Sequence, residues 1–206
     1  MARTAQAALA DLPAGRKMVA LAGPPAAGKT TVSRLLCDRL NADGRSAVVL
    51  PMDGFHLDNR LLETRGLLDR KGAPETFDAA GFARAVARAV AGEPLVFPVF
   101  DRRRDIAIAG AGFLPAETEF VLVEGNYLLL DRDPWAALAA MWDFAIWIDA
   151  PEADLEQRLV QRWRDEGLDE AQARARAVNN DLPNAQMIMA RRGACDLHLS
   201  ADPLAG

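Results

Sequence analysis

The run Gly23-Pro24-Pro25-Ala26-Ala27-Gly28-Lys29-Thr30 sets two glycines five apart, then a lysine and a hydroxyl residue. This is the P-loop pattern, and it constrains the fold as tightly as the ligand. It requires a buried parallel strand before it and a helix after it, whose first N–H groups face one anion. Both flanks comply. Met18-Val19-Ala20-Leu21-Ala22 is a short apolar run, and residues 31–40 carry Val32, Leu35, Leu36 and Leu40 close to helical spacing. In that setting Gly23, Ala26, Ala27, Gly28 and Thr31 line a phosphate cradle, Lys29 reaches the outer phosphates, and Thr30 binds magnesium.

Composition limits how the anion is held. The chain has 206 residues, half of them hydrophobic, enough for a single domain over residues 1–206 with a substantial core. Its net charge of −5 argues against a broad basic field and so against a nucleic-acid partner. No apolar run approaches membrane-spanning length, so no membrane insertion is expected. Cys37 and Cys195 lie far apart in no metal-ligand spacing, and read as buried free thiols of a cytoplasmic protein. Residues 2–12 read either as a weak transit peptide or as a surface helix packing Leu9 and Leu12; the single Arg3 favours the helix.

Along the chain, short apolar runs alternate with helical patterns. Strands are expected at 18–22, 47–50, 95–100, 120–123, 144–148 and 197–199. Pro98 places the third of these near an edge or a strand end. Helices are expected at 31–40, 79–91, 135–141, 153–164, 170–179 and 184–192, with Phe82, Val86 and Val90 on one face, Gly92 as a stop and Pro183 as a break between the last two. The alternation predicts an α/β fold of three layers, helices on both faces of a mainly parallel sheet. Loops 57–78 and 101–119 are the least regular parts, and are expected near the strand ends that form the ligand crevice.

Asp53 directly follows the second strand, in Met52-Asp53-Gly54-Phe55-His56. A carboxylate there either caps a turn or takes the proton of a substrate hydroxyl during attack on a γ-phosphate. Glu124 ends an apolar strand and reads as a magnesium or substrate ligand, although Asp is the usual residue at such a place. Arg158, Arg162 and Arg164 fall on one helix, the first two a turn apart. They read either as a solvated face paired with Asp154, Glu156 and Asp165, or as a lid over about 153–167 that brings arginines to the phosphoryl group. Asp101, Arg102, His56 and Tyr127 are the substrate-side candidates, in that order. His198, in the apolar C-terminal run, reads as structural.

Together these elements resemble the phosphoribulokinase/uridine kinase family of P-loop small-molecule kinases, which includes bacterial pantothenate kinase. The resemblance rests on 23–30, Met52-Asp53-Gly54-Phe55-His56, Arg70-Lys71-Gly72-Ala73-Pro74-Glu75-Thr76-Phe77-Asp78, 98–101, Val123-Glu124-Gly125-Asn126-Tyr127 and the arginine-bearing helix. Phe100-Asp101-Arg102, the stretch from Glu124 to Leu130, and Asn180-Asp181-Leu182-Pro183-Asn184-Ala185 look most like the bacterial group called fructose transport system kinases. The resemblance implies ATP- and magnesium-dependent phosphorylation of a small-molecule hydroxyl, with Asp53 as base, Lys29, Arg158 and Arg162 in the transfer, Arg164 on the nucleotide and Glu124 near the metal or substrate. A sugar such as fructose is one acceptor it suggests; pantothenate and nucleosides are others. Phe100-Asp101-Arg102 replaces the Tyr-Asp plus His pattern of uridine kinases, against uridine.

Two other classes fit less well. A GTPase switch would carry an Asn-Lys-x-Asp signature, and Asn179-Asn180-Asp181 lacks the lysine. A non-catalytic nucleotide-binding partner of a transport system has no need to keep Lys29, Thr30, Asp53 and Glu124. A homodimer is compatible with the sequence.

Overall fold

The computed structural model describes residues 1–200. In chain order it runs α1 (Ala2–Leu9), β1 (Lys17–Ala22), α2 (Lys29–Ala42), β2 (Ala47–Pro51), α3 (Asn59–Thr64), α4 (Ala79–Val90), β3 (Leu95–Asp101), β4 (Ile106–Leu114), β5 (Phe120–Gly125), β6 (Phe144–Asp149), α5 (Glu152–Asp165), α6 (Glu170–Arg176), α7 (Leu182–Ala190) and β7 (Leu197–Ser200). Five strands form one parallel sheet in the order β2-β5-β1-β6-β7. The strand before the P-loop is therefore central. Both faces of the sheet are covered, and for that reason Met18 to Ala22 is an unbroken apolar run rather than an alternating one.

One core layer packs Leu50, Val121, Val123, Phe82 and Trp135; the other packs Leu21, Leu36, Leu122, Ile146 and Leu159. α1 lies on the second layer, with Leu9 fully buried and Leu12 packed beside it. Burying a leucine side chain stabilises by roughly 2 kcal/mol, enough to hold so short a helix in place. The expected three-layer α/β/α fold is thus the observed one. No helix among the described residues is long and apolar enough to cross a membrane.

The register positions the site. Glu124 of β5 lies level with Leu21 of β1 and Pro51 of β2, so Glu124, the P-loop and Asp53 emerge at one carboxyl edge.

Five expectations need correction. The strand at 95–100 does not join the main sheet. It pairs antiparallel with β4 in a separate two-stranded hairpin, with an irregularity between Phe97 and Val99 where Pro98 cannot donate to the ladder. The supposedly irregular 101–119 therefore contains a nine-residue strand. Its Ala-Gly-Ala-Gly centre hid the alternation, and most of it is exposed. Pro183 does not separate two helices: α6 runs through a π-helical turn at Ala177–Asp181 into α7, and Pro183 sits in the first turn of α7. A wide i→i+5 turn absorbs a residue that lacks an N–H. Leu35 and Val90, counted on buried faces, are 51% and 50% exposed because each lies at the edge of its helix stripe. Finally, Cys37 and Cys195 are free thiols, but only half-buried. His198 lies on the edge strand β7, half exposed, with Nε2 3.3 Å from Asp149.

Candidate active site

The P-loop curls because of two local constraints. A Cβ on Gly23 would lie 2.1 Å from the carbonyl oxygen of Ile148, so the loop leaves β1 directly against the backbone of β6. Ala26 takes a φ of 63°, a left-handed conformation that costs an alanine about 1 kcal/mol and is typical of functional loops. Gly23 and Ala27 sit behind the cradle. Ala26, Gly28, Lys29, Thr30 and Thr31 line a cavity of about 760 Å³. That volume suits a nucleotide together with a small second substrate.

Lys29 is buried, and its ammonium donates to the carbonyl of Pro24 at 2.8 Å. Burial drives its pKa down to about 8; Glu124 and Asp53 oppose the shift, while Arg102 and Arg162 add to it. An arriving phosphate would supply the missing counter-charge. The Thr30 hydroxyl donates to Glu124 Oε1. Glu124 is 5% exposed, and its pKa is pushed up to about 7 by burial and then by Asp53, against the pull of Lys29, Arg102 and the Thr30 bond. Hydroxyl and carboxylate together are hard oxygen donors. Magnesium keeps waters and phosphate oxygens and needs only one or two protein ligands, so this pair fits it.

Asp53 lies in a 3-10 turn, Met52–Phe55, just past β2. Its Oδ2 is 2.5 Å from Arg102 Nη2. Burial pushes its pKa up more than any single other influence, but Arg102, His56, Lys29 and Arg162 together outweigh it and hold the carboxyl below its ordinary value. Gly54 is where the hairpin meets this turn: a Cβ there would lie 2.1 Å from the carbonyl oxygen of Pro98. The His56 ring is held between Phe77 and Phe100, at centroid distances of 4.0 and 4.6 Å, with Nδ1 2.7 Å from the Asp53 carbonyl. Burial lowers its pKa, so it is neutral at neutral pH.

The cavity therefore has two ends. Gly28 to Thr31 form the phosphate end, and Asp53, Arg102 and Glu124 form the middle. The far end is lined by His56, Asn59, Lys71, Phe77, Phe100 and Asp105. Lys71 is only 8% exposed; its ammonium donates to Asn59 Oδ1 (2.6 Å), contacts Asp105 Oδ1 (2.7 Å) and lies over the Phe100 ring. α5 contributes Arg162 and Trp163 to the lining, with Glu166 after it. Arg162 reaches Asp181 at 3.7 Å, and its Nε is buried without a hydrogen-bond partner. Asp181, whose pKa burial raises, is delivered by the π-helical turn and accepts from the Trp163 indole.

Of the sequence candidates, Lys29, Thr30, Thr31, Ala26, Gly28, Asp53, His56, Arg102, Glu124 and Arg162 meet around this one cavity. Four others do not. Arg158 pairs with Asp154 one turn away, and Arg164 with Glu170, both outside the lining. Both arginines thus pair with carboxylates outside the cavity that Arg162 enters. Asp101 accepts from the Arg104 amide, so it shapes the hairpin turn. Tyr127 is fully buried against Phe77 and Trp135 and donates to the Gly72 carbonyl, a packing role; burial raises its pKa above the ordinary phenol value. Sequence reasoning missed Asn59, Lys71, Asp105, Trp163 and Asp181. Lys71 and Asp181 lie within the stretches that carried the resemblance, yet nothing in their spacing marks them as cavity residues.

No family model matches the chain. Among curated proteins, the uncharacterized protein YggC of Escherichia coli strain K12 is 36% identical over 179 residues, covering 86% of this chain and 74% of YggC. The pantothenate kinase of Halalkalibacterium halodurans is 34% identical over 155 residues, 71% of this chain and 49% of that enzyme. The chain thus spans about half the length of the pantothenate kinases it matches. Among solved structures, one from Silicibacter sp. TM1040, provisionally described as a fructose transport system kinase, superimposes with a TM-score of 0.87 at 52% identity, over 96% of this chain and 97% of that one. A possible uridine kinase from Bacillus stearothermophilus superimposes with a TM-score of 0.61 at 19% identity, over 96% and 95% of the two chains, a likeness of fold alone.

Proposed function

Since this chain belongs to the phosphoribulokinase/uridine kinase family of P-loop small-molecule kinases, we propose that it transfers the γ-phosphoryl group of ATP, with magnesium, to a hydroxyl of a small polar metabolite, and that the acceptor is a sugar. The observation that carries this reading is the placement of Asp53, Lys29, Thr30 and Glu124 around one cavity. A carboxylate at the carboxyl end of β2, beside a phosphate cradle, is suited to take a hydroxyl proton rather than to cap a turn.

In this reading the P-loop amides and Lys29 hold the β- and γ-phosphates. Thr30 and Glu124 hold magnesium, which when bound neutralises phosphate charge. Asp53 orients the acceptor hydroxyl. The acceptor oxygen bonds to the γ-phosphorus, the bond to the β,γ-bridging oxygen breaks with its electron pair going to ADP, and the hydroxyl proton passes to Asp53. Arg162 leaves Asp181 to neutralise charge on the transferred group. At the far end, Asn59 and Asp105 offer acceptors and Lys71 a donor beside the Phe100 ring. That mixture suits a polyhydroxylated ligand with an apolar face. The description attached to the Silicibacter structure points the same way. A cytoplasmic location goes with this reading.

The test is ADP release from magnesium-ATP against a panel of sugars, pantothenate, nucleosides and glycerate, with Asp53→Asn as the blank. A sugar that stimulates the wild type alone supports the reading; stimulation by pantothenate alone replaces the acceptor class; stimulation by none, with nucleotide still bound, removes the kinase reading.

A further inference from the structure

Arg102 forms an ion pair with Asp53, the carboxylate placed to act as base. We infer that Arg102 is a releasable guard on Asp53, which holds back phosphoryl transfer to water until an acceptor is seated; this rests on the kinase reading above.

The ion pair is between Arg102 Nη2 and Asp53 Oδ2. A guanidinium on one carboxylate oxygen occupies a lone pair there and offsets the charge of the whole group, which weakens it as a base. For Asp53 to act as a base at full strength, this contact must loosen. Arg102 is placed to let go. Its side chain is 49% exposed, it begins the turn 102–105 at the tip of the β3–β4 hairpin, and Asp53 is its one carboxylate partner among the described residues. The other titratable groups around Asp53 sit on other elements: Lys29 on α2, Glu124 on β5, His56 in the turn after β2 and Arg162 on α5. None of those accompanies the hairpin tip if it moves.

The same turn has a second grip, on the acceptor side. Asp105 accepts from Asn59 Nδ2 at 2.8 Å, and its carboxylate lies 2.7 Å from the Lys71 ammonium. It holds a left-handed φ of 53°, a conformation that aspartate tolerates at some cost. Asn59, Lys71 and Asp105 all line the far end of the cavity. An acceptor that hydrogen-bonds there competes for the partners of Asp105 and loosens the turn that carries Arg102. The released guanidinium then faces the cavity where phosphoryl charge develops. With no acceptor present, a water in its place meets a neutralised Asp53.

The guarded side reaction is hydrolysis. Water oxygen bonds to the γ-phosphorus, the bond to the bridging oxygen breaks with its electrons on ADP, and the water proton goes to Asp53. A positioned base is worth roughly 10²–10⁴-fold to its own hydroxyl. Water is less well oriented than an acceptor, so about a tenfold gain is expected once the guard is gone.

The experiment measures acceptor-free ADP release from magnesium-ATP by the wild type, Arg102→Met, Asp105→Asn, and Arg102→Met combined with Asp53→Asn. The expected result is a rise of about tenfold in Arg102→Met and a smaller rise in Asp105→Asn, which leaves Arg102 and Asp53 intact, with the double variant back at the blank. An ion pair that merely holds the fold gives no gain of hydrolysis. The guard is overturned if both single variants, melting like the wild type and still binding ATP, show unchanged or slower acceptor-free release while acceptors still stimulate the wild type. Absence of ADP release from every protein with every acceptor overturns the kinase reading and the guard with it.

Discussion

The Thr30 hydroxyl donates to Glu124 Oε1 across 3.3 Å, joining the first turn of α2 to the end of β5. Glu124 is nearly buried there, and its carboxyl is pushed up from 4.5 to about 7. Between those values the folded protein keeps a proton that the unfolded chain has lost. The ligand-free protein therefore loses stability as pH rises from about 4.5 to about 7, and Glu124 adds no further loss above that. Glu124→Gln removes this dependence. In denaturant titrations with chelator and without nucleotide, the variant is expected to be more stable than the wild type at pH 8 by about 2 kcal/mol, with the difference gone near pH 4.5. A constant difference across the range would disprove the assignment. The same variant is expected to lose about a hundredfold in magnesium-dependent turnover.

The arginines of α5 separate cleanly. Arg162 enters the cavity, whereas Arg158 pairs with Asp154 in a part-buried i,i+4 contact outside it. Arg162→Ala is expected to lower kcat by at least about a hundredfold with a small change in KM for ATP, as for loss of a group that acts on transition-state charge. Arg158→Ala is expected to stay within about 0.5 kcal/mol of wild-type stability and near wild-type turnover. Equal losses in the two would restore the shared-face reading.

Tyr127→Phe tests whether that ring touches substrate. Its hydroxyl bonds the Gly72 carbonyl and its ring packs on Trp135, away from the cavity. The expected cost is about 1 kcal/mol of stability, from one lost hydrogen bond and an orphaned carbonyl, with acceptor KM unchanged. A large rise in acceptor KM without loss of stability would contradict the packing role.

Gly23→Ala drives a methyl onto the Ile148 carbonyl oxygen, where a Cβ would stand at 2.1 Å. Backbone cannot yield there without shifting β6. We expect a loss of about 2–4 kcal/mol in unfolding free energy together with loss of nucleotide binding, read by thermal melts with and without ATP. Wild-type binding with a wild-type melt would show that the loop is not held against β6.

The nucleotide half of the site was legible because its signals are local. Strand 18–22, the loop and helix 31–40 are contiguous, and burial on both faces makes β1 and β5 uniformly apolar. Asp53 and Glu124 were found for the same reason, Asp53 two residues past the end of β2 and Glu124 the last residue but one of β5. The far end was legible only as loops: 57–78 and 101–119 were expected at the crevice and do line the cavity, but not which of their side chains enter it. Lys71 bonds Asn59 within the first loop, and the hairpin turn adds Asp105. The hairpin itself was half hidden, because Gly110 and Gly112 interrupt the apolar alternation of β4. Asp101 was read as a substrate-side residue beside three arginines; sequence could not show that its carboxylate accepts from the Arg104 amide in the tight turn of the hairpin. Arg158 and Arg162 look alike in sequence, and only the side on which Asp181 arrives, set by the π-helical turn, tells them apart.

The β3–β4 hairpin shares no ladder with the parallel sheet. The sheet supplies the phosphate cradle, while the hairpin supplies Phe100, Arg102 and Asp105 as one contiguous stretch of chain. Changes in this stretch need not disturb the P-loop, so on the proposed reading the acceptor can be exchanged while the phosphate cradle stays fixed. An engineer who wants a new substrate should graft this hairpin as a cassette, together with its docking residue Gly54, rather than redesign the barrel of contacts around β1.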